Sequence, residues 1–452
     1  MMVAFINHEE TFTANPPISL LETNGGTFHM TMSRLKHAIT ICALAVAPLL
    51  TVAAHAATVP VPAHPSTYYV ATTGSDSNPG TEKQPWRTVA KAVNTMVAGD
   101  TTYVRSGTYN EGLIRFKTSG SQSAPIKLLN YPDESPVIEC VDPTKFHRII
   151  LEHASGTRNA IGWITIEGFE IRNCWDGIKM HSGHDITIRR NWIHHNLNQG
   201  ILGSGTRILV DRNIINNNGP SITKPTATRT HGMYGNGTAW TITNNLIYGH
   251  LGYGIQLNGS PSSFYNSTKH PGPEFAVSAN WIVANNTIAY QQNKAGMVVW
   301  GSTCNNARIE NNIFYENAQT MDSNVAYGVH FSSIACTGVQ IRNNLFYRSS
   351  SGWLKAFGTA ATEGIHYTQS GNIIDVSAPV FVNAPATLPS SPNFALTARS
   401  PAIDAGRSLD ITKIAIDGTP RPQGRAYDIG AYEYSADGDS QSPNAPRALQ
   451  VD

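Results

Sequence analysis

Charge is what this 452-residue chain has least of. Asp, Glu, Lys and Arg make up 14% of it, well below the usual quarter, which argues against a charged helical bundle or a coiled coil. Neither sign is in excess, with 32 Lys and Arg against 31 Asp and Glu. A net charge of +1 gives no reason to expect nucleic acid or an anionic membrane as partner. Cysteine is scarce too: there are five, with no CxxC and no Cys/His cluster, so a structural zinc is not expected. After residue 53 no run is apolar enough to span a bilayer. Glycine and proline show no collagen-like period. Apolar residues, at 40%, are enough to fill a core and too many for a disordered chain.

Residues 1–56 read as an upstream segment and a cleaved signal peptide. Arg34, Lys36 and His37 form a basic start, Ala38 to Ala53 is apolar, and Ala54-His55-Ala56 is a small-x-small cleavage site. Met30 or Met32 is the alternative translation start. The mature chain, from Ala57, is expected to be secreted or periplasmic, with no membrane partner, and monomeric. Four cysteines remain after cleavage (Cys140, Cys174, Cys304 and Cys336), enough for two disulfides in an exported chain.

A phrase recurs from residue 164: ITIEGFEIRN, ITIRRNWIHHN, ILVDRNIINN, WTITNNLIYGH, WIVANNTIAYQ, ARIENNIFYEN, VQIRNNLFYRS. Its anchors are Ile171, Ile193, Ile215, Ile247, Ile288, Phe314, Phe346 and Ile374, spaced 22 residues apart at the shortest. Such a period with insertions belongs to a β-solenoid and is too short for paired-helix repeats. Apolar residues alternate within each unit as in a strand. A second, Gly-led strand follows, with Ile178, Ile201, Met233, Ile255, Met297 and Val329 in one inward column. The fold expected is all-β: a right-handed parallel β-helix whose coils stack at about 4.8 Å. Cys304 and Cys336 each lie eight residues past the Gly that leads their strand, so adjacent coils should bring them within disulfide reach; two buried free thiols are the alternative. The asparagines at 191, 213, 245, 286, 312, 344 and 372 form a further column. They read better as an inward turn ladder than as sugar ligands.

Residues 68–111, YYVATTGSDSNPGTEKQPWRTVAKAVNTMVAGDTTYVRSGTYNE, resemble the opening of secreted pectate-lyase-like β-helix proteins. The resemblance implies an N-terminal cap with an amphipathic capping helix, and Val89, Ala92, Val93 and Met96 do share one helical face. Residues 400–434 are similar to the closing segment, of choice-of-anchor type, of many such proteins. One domain is therefore expected over 57–434, with regular coils over 164–374 and a flexible tail over 435–452.

Fold does not assign a function, so the site is argued from residues. Between Ile186 and Ile309 lie two acids, Asp211 and Glu274, against nine Lys or Arg. An excess of that sign favours an anionic ligand. The same shortage counts against relatives that need carboxylates: glycoside hydrolases use a flanking pair, and calcium-dependent pectate lyases several around the metal. No cofactor is expected, and the middle coils give calcium no support. The outward residues beside the Gly-led strands then converge. His231, Tyr234, Asn236, Tyr253, Gln256 and Asn258 share one face over two coils, with Lys179 and His181 two coils away. Two insertions flank this patch and bring Lys224 and Arg229 on one side, Tyr265 and Lys269 on the other. His250 lies at a nearby turn.

A groove rich in cations, His and Tyr suits β-elimination on an acidic, uronic-acid-containing polysaccharide. Arg229 and Gln256 would neutralise the carboxylate. His231 and Tyr234 would move the protons, with Lys179 as reserve base. The remaining residues (Tyr253, Asn236, Asn258, His181, His250, Lys224, Lys269 and Tyr265) would bind substrate. Two alternatives stay open: a glycoside hydrolase using Glu170 or Asp176, and a non-catalytic glycan-binding solenoid.

Overall fold

The computed structural model describes residues 64–145, 148–152, 161–219, 230–259, 277–301, 304–319, 327–332, 335–347, 354–356, 361–374 and 381–436. The recurring phrases are strands, and they stack in parallel in the register their spacing implies. Ile171, Ile193, Ile215, Ile247, Ile288, Phe314, Phe346 and Ile374 are mutual partners along one sheet. Ile178, Ile201, Met233, Ile255, Met297 and Val329 are partners along another. The described anchors, apart from the half-exposed Ile374, are at most 1% exposed. Fully burying an aliphatic side chain contributes about 1.5–3 kcal/mol, so repeating it on every coil is what holds the stack together.

Two long strands, Ile178–Arg189 and Ile201–Asp211, run through the bend between sheet segments, the first with a bulge between Met180 and Gly183. Beyond the bend a third inward column runs Ile166, Ile188, Val210, Ile242, Val283, Ile309, Ile341. The Asn-Asn pair that follows divides its labour. Asn244, Asn285, Asn311 and Asn343 adopt φ of 50–55°, a left-handed conformation that Asn tolerates better than most residues. The second Asn of each pair turns inward. Asn191, Asn213, Asn245, Asn286, Asn312, Asn344 and Asn372 form the expected ladder, each backbone N–H and side-chain amide donating to the next Oδ1 at 2.8–3.1 Å.

A second ladder runs through the following turn and is chemically mixed. The N–H groups of Asn196, Asn218, His250 and Gln291 donate in turn to Asn218, His250 Nδ1, Gln291 and Asn317 at 3.1–3.3 Å.

The coils begin well before residue 164. Thr67–Val70 pairs with Thr101–Val104, which pairs with Ile126–Asn130, so the N-terminal segment is already solenoid. A helix, Val89–Thr95, buries Val89, Ala92 and Val93 in the same core as Val70 and Val104. Thr88 caps it by accepting from Lys91 N, and Glu111 accepts from the N–H groups of Val89 and Ala90, a carboxylate at the positive end of the helix. No helix among the described residues is long and apolar enough to cross a membrane.

Residues 400–434 lie along the flank of the solenoid. Phe394, Ala402, Ile416, Ile429 and Ala431 cover the outward residues Leu246, Ala289, Ile313 and Leu345. The turn asparagines tie the strap down: Asn285 donates to the carbonyls of Asp428 and Gly430, and Asn311 to that of Arg407. Cys304 and Cys336 are bonded, with Cα atoms 4.8 Å apart, and Cys140 pairs with Cys174.

Candidate functional site

Tyr234 and Gln256 are register partners on adjacent coils, and Leu202 partners Tyr234 on the preceding one. Lys179 partners Leu202, so Lys179, Leu202, Tyr234 and Gln256 form one outward column. The next outward column holds Ser204, Asn236, Asn258 and Trp300. The expected convergence is therefore real as a matter of register. Exposure divides it. Lys179, His181 and Tyr234 are half-buried, whereas Gln256, Asn236, Asn258, Tyr253 and His231 are buried. Asn236 donates to the carbonyl of Asn258 at 2.8 Å, and Tyr253 packs with Ala295, Val298 and Tyr327 in a small apolar cluster. The expected aromatic contact from Tyr253 to substrate does not fit this packing. Trp300, outward and 41% exposed one coil beyond Asn258, offers an indole face instead. Alternation along MVVW points to it, since Met297 and Val299 face inward. Arg229, Lys224, Tyr265 and Lys269 lie outside the described residues.

Two histidines need correction. His250, expected to bind substrate, is fully buried as a ladder rung: Nδ1 accepts from Asn218 N at 3.1 Å and Nε2 donates to Ile215 O at 3.1 Å. Burial lowers its pKa to about 4, so it stays neutral. His231 is expected, with Tyr234, to carry proton abstraction and leaving-group protonation. It is 2% exposed, and its Nδ1 accepts the Tyr253 N–H at 2.9 Å. A neutral imidazole accepting at Nδ1 carries its proton on Nε2, so it is a donor there, not a base. Its ring meets Tyr234 edge-on at 5.6 Å between centroids, which makes it a positioning residue for the phenol. His231 is also one rung of a third ladder. Gln199 N donates to Asp176 Oδ1, His231 N to Gln199 Oε1, and Tyr253 N to His231 Nδ1.

The cationic excess of the middle coils is also smaller than a count along the chain suggests. Arg189 and Arg190 engage Glu167, Arg207 engages Asp185, Arg212 engages Asp211 and Arg308 engages Glu310. Stacking brings in acids from just outside the counted window. The acids of the hydrolase alternative are engaged as well. Asp176 is wholly buried, accepts from Arg148 and Asn198, and is held above the usual carboxylate range by desolvation. Glu170 pairs with Arg172 and His194 on the other sheet. Among the described residues no three His, Cys, Asp or Glu side chains come together as metal ligands, and Asp176, Glu167 and Asp185 are each paired with an arginine.

Residues 68–245 match the model of the Pel9A-like right-handed β-helix region. The fold is a right-handed parallel β-helix. The solved pectate lyase Pel9A superposes with a TM-score of 0.52 over 82% of this chain and 96% of that one, at 19% identity. Among curated proteins, pectate lyase PEL9 of Emericella nidulans is 40% identical over 16% of this chain and 18% of its own length. The uncharacterised Bacillus subtilis protein YwoF is 36% identical over 23% of this chain and 22% of its own. The chain thus spans about a fifth of the length of these curated relatives. Its Pel9A-like region contains the Tyr234 strand and stops short of Gln256.

Proposed function

We propose that the protein is an exported polysaccharide lyase that cleaves an acidic, uronic-acid-containing glycan by β-elimination at the Tyr234 groove. The observation that carries the reading is the register pairing of Tyr234 with Gln256: a half-buried phenol and a carboxamide one coil apart, in line with Lys179. The similarity to pectate lyases supports the substrate class. The two disulfides support an oxidising, extracytoplasmic setting.

In this reading the Gln256 amide, with Arg229, takes the charge of the uronate carboxylate and so stabilises the carbanion-like state. Tyr234 removes the proton on the carbon α to the carboxylate, and His231 holds its ring edge-on. The C4–O bond breaks as the C4=C5 bond forms, and the departing oxygen takes up the proton that the Tyr234 phenolate has just accepted from C5. Lys179, roughly 10 Å along the axis at two coil spacings, is the second base the column offers. His181 and Trp300 flank the column and would contact neighbouring sugar units.

The test follows absorbance of the unsaturated uronide product on a panel of polyuronides, with and without EDTA. Elimination that is lost in Tyr234→Phe and keeps its rate in EDTA is expected. Loss in Lys179→Ala with Tyr234→Phe still active would move the base to Lys179. New reducing ends without the unsaturated chromophore would replace this reading with a hydrolase, and no product on any glycan would leave a binding solenoid.

A further inference from the structure

A second recessed site lies on the stretch of sheet beyond the bend, away from the Tyr234 column. Its register column runs Tyr103, Leu129, Glu167, Arg189, Asp211 over successive coils. A pocket of about 290 Å³ opens there, lined by Tyr103, Leu129, Asn130, Pro132, Glu167, Arg189, Arg190 and Arg212. That lies just below the range of ligand pockets, about 300–1,000 Å³, and suits a single small ring.

The walls differ in chemistry. On one side stand three guanidiniums. Arg190 is buried, and Arg212 reaches Asp211 through Nε at 2.9 Å. Arg189 contacts Glu167 through Nε and keeps its side chain 39% exposed. Glu167 offers this wall no unengaged carboxylate, because one oxygen accepts from Arg189 and the other from Arg190. Asp211 is similarly occupied: Oδ1 accepts from Thr243 and Asn244, and Oδ2 from Arg212. What faces the pocket is therefore a donor-rich guanidinium surface, the geometry that suits a planar carboxylate.

The opposite wall is formed by Tyr103, Leu129 and Pro132, with Asn130, whose amide donates to the carbonyls of Tyr131 and Glu134. Tyr103 lines the pocket and belongs to an outward tyrosine group, 5.9 Å from Tyr69 and 6.2 Å from Tyr131 between centroids. Arg105 sits 4.2 Å over the Tyr131 ring. Such faces accept the C–H side of a sugar ring.

We infer that this pocket is a separate binding site for one uronate unit, its carboxylate on Arg189, Arg190 and Arg212 and its ring against Tyr103. It would anchor an acidic glycan on a different stretch of the solenoid from the one proposed to cleave it. The inference stands apart from the lyase reading, because it concerns binding on another part of the surface.

The probe is a methyl uronoside (the methyl glycosides of galacturonic and glucuronic acid), which has no 4-linked sugar to expel and is not consumed by elimination. Calorimetric titration of the full chain should show binding that weakens about tenfold or more in Arg189→Gln and in Tyr103→Ala, each checked for native near-UV dichroism. Methyl galactoside, lacking the carboxylate, should not compete. Binding unchanged in both variants would place the uronate elsewhere and overturn the site. Equal affinity for methyl galactoside or for inorganic phosphate would overturn the uronate assignment, and so would no binding. A lyase assay that fails while this titration succeeds removes only the catalytic reading.

Discussion

His231 Nδ1 accepts the backbone N–H of Tyr253 at 2.9 Å, so a side chain on one coil satisfies the main chain of the next. Gln199 does the same for His231 one coil earlier. The column before the Gly-led strand is therefore structural at its base, even though Tyr234 beside it is half-buried in the outward column. Removing the acceptor leaves a buried N–H without its partner, which costs about 1–3 kcal/mol. His231→Ala should lower the urea unfolding free energy by that amount. His231→Gln should recover most of it, because Gln already serves as an acceptor at position 199. Equal destabilisation by both variants would show that the ring packing against Tyr234 and Tyr253, not the hydrogen bond, is what counts.

Much of this architecture is written in the chain because a solenoid repeats one chemical solution. Every anchor column from Ile171 to Ile374 is apolar and every ladder Asn is preceded by a turn residue, so spacing alone recovers the register. The N-terminal coils follow the same geometry, but their pairings join Val70 to Val104 and Leu128 to Ile166, with unequal lengths of chain between. No period marks them. The second ladder is hidden differently: Asn, His and Gln all offer an acceptor at the right reach, so the position is preserved in function while its letter changes. This is why His250, at a turn, reads as a substrate-binding residue rather than as a ladder rung. Charge misleads for a related reason, since Arg207 meets Asp185 across a coil, 22 positions away in sequence. At the candidate groove, alternation predicts that Asn236 and Asn258 point outward but not that they are buried.

His250 makes the fold sensitive to mild acid. Its folded pKa, lowered to about 4, lies below the unfolded value of about 6.5, so the unfolded chain binds the proton first. Stability is fully present above about pH 6.5 and falls as pH drops toward 4, by roughly 3 kcal/mol in all. Asp428 acts in the opposite direction, since desolvation raises its pKa to about 6 and protonation then favours the fold. The comparison that isolates His250 is therefore wild type against His250→Gln. The variant should keep the ladder acceptor and lose less stability between pH 6.5 and pH 4 in thermal unfolding. Parallel profiles would mean that another group carries the acid response.

The Cys304–Cys336 bridge ties two neighbouring coils that already pair through Met297 and Val329. It closes a loop of 32 residues in sequence. In the chain-entropy model a loop of that size is worth about 3–4 kcal/mol, through restriction of the unfolded state. Cys304→Ser with Cys336→Ser should lower the unfolding free energy by about that amount while leaving the spectrum of the native protein unchanged. Because both sulfurs are buried, reductant should reach the bridge only when these coils open, so reduction of the native protein should be slow and should speed up in sub-denaturing urea.

The flanking strap depends on one buried ion pair. Arg421 and Glu433 are both fully buried, 2.7 Å apart, and Arg421 also donates to the carbonyls of Asp428, Gly430 and Tyr432. Removing one partner of such a pair costs about 3–5 kcal/mol, because the other charge is left buried and uncompensated. The coils beneath have their own core, and the strap contributes the cover over Leu246, Ala289, Ile313 and Leu345. Arg421→Ala should therefore release residues 400–434 before the solenoid melts. Limited proteolysis should cut within that segment while the fragment ending near residue 374 persists. If the whole chain is instead digested together, strap and coils unfold as one unit, and the strap is part of the fold's cooperative core.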